Sequence, residues 1–205
     1  QMTRFVEGAM KAGVKKSEAE YIFELVDKFA GYGFNKSHAA AYAVVSYHTA
    51  YLKANFREEF LAASMTLDMA NTDKLAMFAS EARRSGIRVE PPCVNDSAVE
   101  FLASPPADAE GAGAIRYALA ALKNLGRSAA DSIVTAREAG GRYADLSDFA
   151  RRLQPKALNK RALETLAMGG AFDALEANRA LVHANVEQIL ALSHRIASDE
   201  AEGTS

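Results

Sequence analysis

A chain of 205 residues, 49% hydrophobic and 24% charged, is long enough to bury a core, and it has no apolar run of the roughly 18 residues a membrane span needs. Its one cysteine, Cys93, excludes an internal disulfide and a cysteine zinc cluster and fits a reducing cytoplasm. The net charge of −2 hides an uneven distribution, because bases outnumber acids between Arg116 and Arg161 while acids dominate from Asp173 onward.

Gln1-Met2-Thr3-Arg4 shows no basic-then-apolar signal pattern and reads as the start of an excised fragment. From Arg4 to Met69 the apolar residues recur at helical spacing. Gly31 and Gly33 mark a loop between two of these helices, since each would disfavour a helix interior by about 1 kcal/mol. The helix from Ala39 to Phe56 carries apolar residues on two faces, which predicts burial and a structural role for Tyr47 and His48. A helix over Asp73–Ser85 is expected to stop at Gly86, and Pro91-Pro92 ends any helix before it. Val99–Ala103 and Ile115–Leu119 suit strands, and the Pro- and Gly-rich stretch between them is the long tip of a small β-hairpin. Helices then return over Ser128–Glu138, Leu146–Arg152, Asn159–Met168 and Arg179 to about Ile196, followed by a polar tail.

Two stretches suit anion binding. In Gly31-Tyr-Gly-Phe-Asn-Lys-Ser-His38, Ser37 can cap the following helix and leave Asn35, Lys36 and His38 at its positive end, with the Tyr32 ring nearby for stacking. The same residues also describe an ordinary capped helix after a glycine turn. Ala121-Leu-Lys-Asn-Leu-Gly-Arg-Ser-Ala-Ala-Asp-Ser-Ile133 has the layout of a helix-hairpin-helix, in which backbone N–H groups and a helix start hold a DNA phosphate without reading sequence. Lys123, Asn124, Gly126, Arg127, Ser128 and Arg137 are its candidate contacts. Leu158–Leu175 looks like a second copy, with Gly169 and Gly170 in the turn. Each copy alone is equally a plain helix pair joined by glycine, and the tandem arrangement within a basic stretch favours DNA.

The run Lys28-Phe-Ala-Gly-Tyr-Gly-Phe-Asn-Lys-Ser-His-Ala-Ala-Ala-Tyr42, continued by Val44-Val-Ser-Tyr-His-Thr-Ala-Tyr-Leu-Lys53, closely resembles the fingers of the bacterial DNA polymerase III alpha subunit family, the C-family replicative polymerases. The resemblance extends through Asn71–Lys74, Glu81–Gly86 and Pro91-Pro92 and resumes at Ile115. Asn124 departs from the hairpin pattern, which generally has a second glycine there, but asparagine tolerates the left-handed conformation that the turn requires.

The resemblance implies a piece of an enzyme of DNA-templated DNA synthesis, with nucleotide or template positioning at Tyr32, Asn35, Lys36, Ser37 and His38 and duplex binding at the hairpins. It implies paired Mg2+ ions held by palm aspartates that lie elsewhere, so no catalytic or metal-binding residue is assigned here and the fragment alone is expected to be inert. Expected partners are duplex and primer-template DNA, a deoxynucleoside triphosphate in the whole enzyme and, beyond Ser205, the sliding clamp; no membrane is involved.

The expected architecture is mainly α. Residues 1–92 form the end of the fingers, 93–196 a β-hairpin plus tandem helix-hairpin-helix region, and 197–205 a disordered tail. The competing reading is a free-standing duplex-binding module, which leaves Gly31–Met69 without a use. A metal or nucleophile enzyme fails on inventory: His38, His48, His183 and His194 lack ligand-like spacing with acids, and Cys93 has no evident activating base.

Overall fold

The computed structural model describes residues 1–32, 36–104, 111, 113–153, 158–201 and 203. Ten α-helices and one small three-stranded sheet are present among them, and the chain divides into two compact units, Gln1–Leu52 and Lys53–Ser205.

The first unit holds α1 (Met2–Lys11), α2 (Lys16–Tyr32) and most of α3 (Lys36–Asn55). Helices α1 and α2 form an antiparallel pair that buries Val6 and Ala19 and brings the rings of Phe5 and Phe23 to 5.5 Å. Helix α3 departs from expectation. None of its residues is buried, and Tyr42, Val44, Val45, Tyr47 and Leu52 are exposed, Tyr47 to 66%. Apolar residues on two faces call for cover on both, and within this unit no described element supplies it.

In the second unit, α4 (Arg57–Leu67) and α5 (Thr72–Arg84) pack on the sheet. Their shared core is Leu61, Met65, Leu75, Ala82, Ile87, Phe101 and Ile115. Asn71 caps α5 by accepting from the Lys74 N–H, and the helix stops as expected at Gly86, where the Ile87 N–H reaches back to the Ala82 carbonyl at 2.9 Å. The expected hairpin exists as β2 (Leu102–Ser104) against β3 (Ala114–Arg116), but the sheet has another member. Strand β1 (Arg88–Glu90) pairs with β3 in parallel, so the order is β1-β3-β2. Most of the expected hairpin tip, residues 105–110 and 112, lies outside the described residues.

The second and larger core belongs to the helices that follow: α6 (Arg127–Gly140), α7 (Leu146–Arg152), α8 (Lys160–Met168), α9 (Arg179–Ala184) and α10 (Val186–Ala201). Ile133, Phe149, Leu163, Leu166, Phe172, Val182 and Val186 are almost wholly buried there, with Phe149 edge-on to both Tyr143 and Phe172. Asp145, Asn159 and Asn178 cap α7, α8 and α9 through their side chains. The single helix expected from Arg179 to Ile196 is broken at Asn185, whose side-chain amide donates to the Leu181 carbonyl in competition with the helical ladder. Helix α10 continues to Ala201, past the point where the tail was expected to lose structure.

The turn after Pro91-Pro92 is tied into the larger core. Val94 is buried there, and its N–H donates to the Ala171 carbonyl at 2.9 Å. The Asn95 side chain holds the Tyr143 backbone on both sides, accepting from its N–H at 2.7 Å and donating to its carbonyl at 2.9 Å. Pro91-Pro92 therefore bridges two cores that form one unit.

Candidate nucleic-acid interface

The Gly31–His38 segment falls at the junction of α2 and α3. Lys36, Ser37 and His38 are exposed in the first turn of α3, and the His38 ring lies 4.4 Å from that of Tyr42. Ser37 lies inside the first described turn of α3, not before it, so it stands within the helix and not at the capping position. Asn35 and the side chain of Tyr32 lie outside what the structure describes.

The first hairpin is built by a 3-10 turn over Leu119–Ala121, a loop at 122–126 and the start of α6. Leu125 is buried and anchors the loop, with its N–H donating to the Leu122 carbonyl at 3.2 Å. On either side of it the backbone turns left-handed, at Asn124 (φ 67) and Gly126 (φ 73). Asn124 is the only non-glycine residue with positive φ among the described residues. That conformation costs most side chains about 1–2 kcal/mol, and asparagine is among the few that adopt it routinely. The substitution for glycine is thereby accommodated.

The hairpin delivers an open helix start. No side chain caps α6, and the first backbone bond of the helix runs from Ala130 N–H to the Gly126 carbonyl. The N–H groups of Arg127, Ser128 and Ala129 have no acceptor among the described residues. Lys123, Asn124, Gly126, Arg127 and Ser128 are all exposed around these donors. The Arg127 guanidinium meets Glu100 at 2.6 Å, and that carboxylate holds its pKa above the ordinary arginine value.

Arg137 does not join them. It lies ten residues along α6, about 15 Å from the helix start by the rise per residue, and its Nη1 donates to the carbonyls of Val94 at 2.9 Å and Ser97 at 2.7 Å. It fastens the turn after the prolines to α6. Beside it, Asp96 pairs with Arg142 at 2.5 Å, and this guanidinium holds the carboxyl below its usual range. Burial pushes the Cys93 thiol in the opposite direction, upward.

The second hairpin differs from the first. Gly169 and Gly170 end α8: the N–H groups of Gly169, Gly170 and Ala171 donate to the carbonyls of Thr165, Ala167 and Leu166 at 2.9, 3.1 and 2.9 Å. Gly170 is left-handed (φ 79). No open row of backbone donors remains at this turn. In their place the Arg179 guanidinium lies against Gly170, its Nε and Nη2 on the two oxygens of Asp173 at 2.8 and 2.5 Å. Nothing in the sequence marks this contact, since Asp173 and Arg179 belong to a turn and the helix after it.

Residues 86–182 match the family model described as a helix-hairpin-helix motif. Over almost its whole length the chain is similar to one segment of DNA polymerase III subunit alpha. It is 48% identical to that protein from Caulobacter vibrioides over 203 residues, 99% of the chain. It is 44% identical over 199 residues to the protein from Neisseria meningitidis (strain Z2491) and 42% identical over 203 residues to that from Escherichia coli. The chain spans only 17% of the length of each of these relatives. The matched span includes residues of both compact units.

Among the described residues no group of three or more His, Cys, Asp and Glu side chains could hold a metal ion. No helix is long and apolar enough to cross a membrane among the described residues.

Proposed function

We propose that this chain is a portion of the catalytic subunit of a bacterial replicative DNA polymerase, acting in the cytoplasm in DNA-templated DNA synthesis. Its share of the work is to hold duplex DNA. The observation that carries this reading is the uncapped start of α6 behind the left-handed pair Asn124 and Gly126, within a region matching a helix-hairpin-helix model. Free N–H groups at the positive end of a helix donate to a phosphate oxygen regardless of base, and Lys123, Arg127 and Ser128 add charge and a hydroxyl beside them. Gly169 and Gly170 keep the second hairpin turned back against this one.

Asn35, Lys36, Ser37, His38 and Tyr32 form, on this reading, the part of the fingers that positions the incoming deoxynucleoside triphosphate or the template backbone. Mg2+ belongs to the whole enzyme, on carboxylates other than those described here, and the sliding clamp is a partner of the whole enzyme as well. The apolar residues exposed on α3 are covered, in this view, by other parts of the polymerase.

Titrating the chain against labelled duplex and single-stranded DNA at two salt concentrations tests the duplex reading. Weak, sequence-independent duplex binding is expected, falling steeply with salt as phosphates exchange counterions for protein cations. Affinity insensitive to salt contradicts it. For the fingers segment, Lys36→Ala in the full-length polymerase is expected to raise the nucleotide KM or lower kcat, and unchanged values of both rule the assignment out.

A further inference from the structure

We propose that Arg179 is a second backbone-phosphate contact, held on Asp173 in the free protein and transferred to a DNA phosphate when duplex binds. The inference rests on the duplex-binding reading and adds to it a residue and a switch. Three observations lead to it. The N–H groups of Gly169, Gly170 and Ala171 are already used to end α8, so the two glycines and the residue after them offer an anion no backbone donor and a side chain is the better source. Arg179 is the cation at that place: a Cβ added to Gly170 would run into its Nη2 and lie 2.6 Å from its Cζ, so glycine leaves the room in which the guanidinium rests. The second turn also abuts the first hairpin, where a Cβ on Gly169 would lie 3.4 Å from Leu122 Cδ2 and the Asn124 amide is 3.5 Å from the Thr165 hydroxyl.

The chemistry of the exchange is favourable. Arg179 and Asp173 are 49% and 37% exposed, and an ion pair that wet is weak and readily traded. The two-pronged grip that Arg179 makes on the Asp173 carboxylate suits two oxygens of a phosphodiester equally well. Asp173 has two roles in this arrangement. It orients the fork while DNA is absent, and it competes with phosphate for it.

The experiment is a fluorescence-anisotropy titration of the 205-residue chain with a short labelled duplex at two salt concentrations, with thermal denaturation of every variant. Arg179→Ala is expected to weaken binding about fivefold and to lower the salt slope by about 0.9, and Asp173→Asn to tighten binding about fivefold. The double variant should match Arg179→Ala, because Asp173 acts only through the arginine. A purely structural pair would move both single variants in the same direction. Three results overturn the proposal: no change in Arg179→Ala, no change in Asp173→Asn, or equal tightening by Asp173→Asn with and without Arg179, which is a general charge effect. If Lys123→Ala weakens binding while these variants fail, only this inference falls. Absence of duplex binding by the unaltered chain removes both.

Discussion

Arg137 shows how one residue's chemistry is decided by its surroundings. In the sequence it is one more base in a basic stretch, and in the fold it is half-buried with two carbonyl acceptors. Arg137→Ala should therefore destabilise the chain by about 1–3 kcal/mol, the cost of leaving those carbonyls unpaired, while the salt slope of DNA binding stays unchanged. Denaturant unfolding together with the duplex titration checks both. Asp96 gives a pH signature. Its carboxyl is held down by Arg142, so its contribution to stability is full above the ordinary aspartate pKa and is lost as pH falls through the depressed folded value. Asp96→Asn should narrow the gap between urea midpoints measured at pH 7 and pH 3. The effect is small because the pair is largely exposed.

At the scale of elements, the hairpin loop makes a sharp comparison possible. Asn124→Gly should keep both fold and DNA affinity, whereas Asn124→Val forces a β-branched side chain into left-handed backbone and should cost about 2 kcal/mol and weaken duplex binding. Thermal midpoints and anisotropy on the pair decide it.

The helices of this region were legible because they are punctuated: Leu146–Arg152 matches its expected bounds, and the Asn and Asp caps and Gly86 sit where local chemistry puts them. The sheet was legible only in part. Arg88–Glu90 is too short for alternation to register, and its partner lies across a parallel crossover that no local pattern announces. The tight turn at Asn124 could be read from residue preferences. The fates of Arg137 and Arg179 could not, since both depend on contacts made by distant parts of the chain.

For the molecule as a whole, the two units differ in how much they bury. Helix α3 has no buried residue, and α8 buries Ala162, Leu163, Leu166 and Ala167. Hydrogen exchange of the isolated chain should accordingly be fast along α3 and slowest in α6 and α8. Equal protection of α3 and α8 would contradict the burial described here.

The parallel strand bears on how the protein is made. Strand β1 cannot pair until Ala114–Arg116 has been synthesised, and Val94 cannot complete its bond to the Ala171 carbonyl until still later. At ribosomal speeds the 24 residues from Glu90 to Ala114 take roughly one to five seconds. During that interval α4 and α5 wait with Leu61, Met65 and Leu75 lacking Ile115 and Phe101, the residues that later close their core. On the ribosome, this half of the chain keeps an open apolar core until its own later residues arrive.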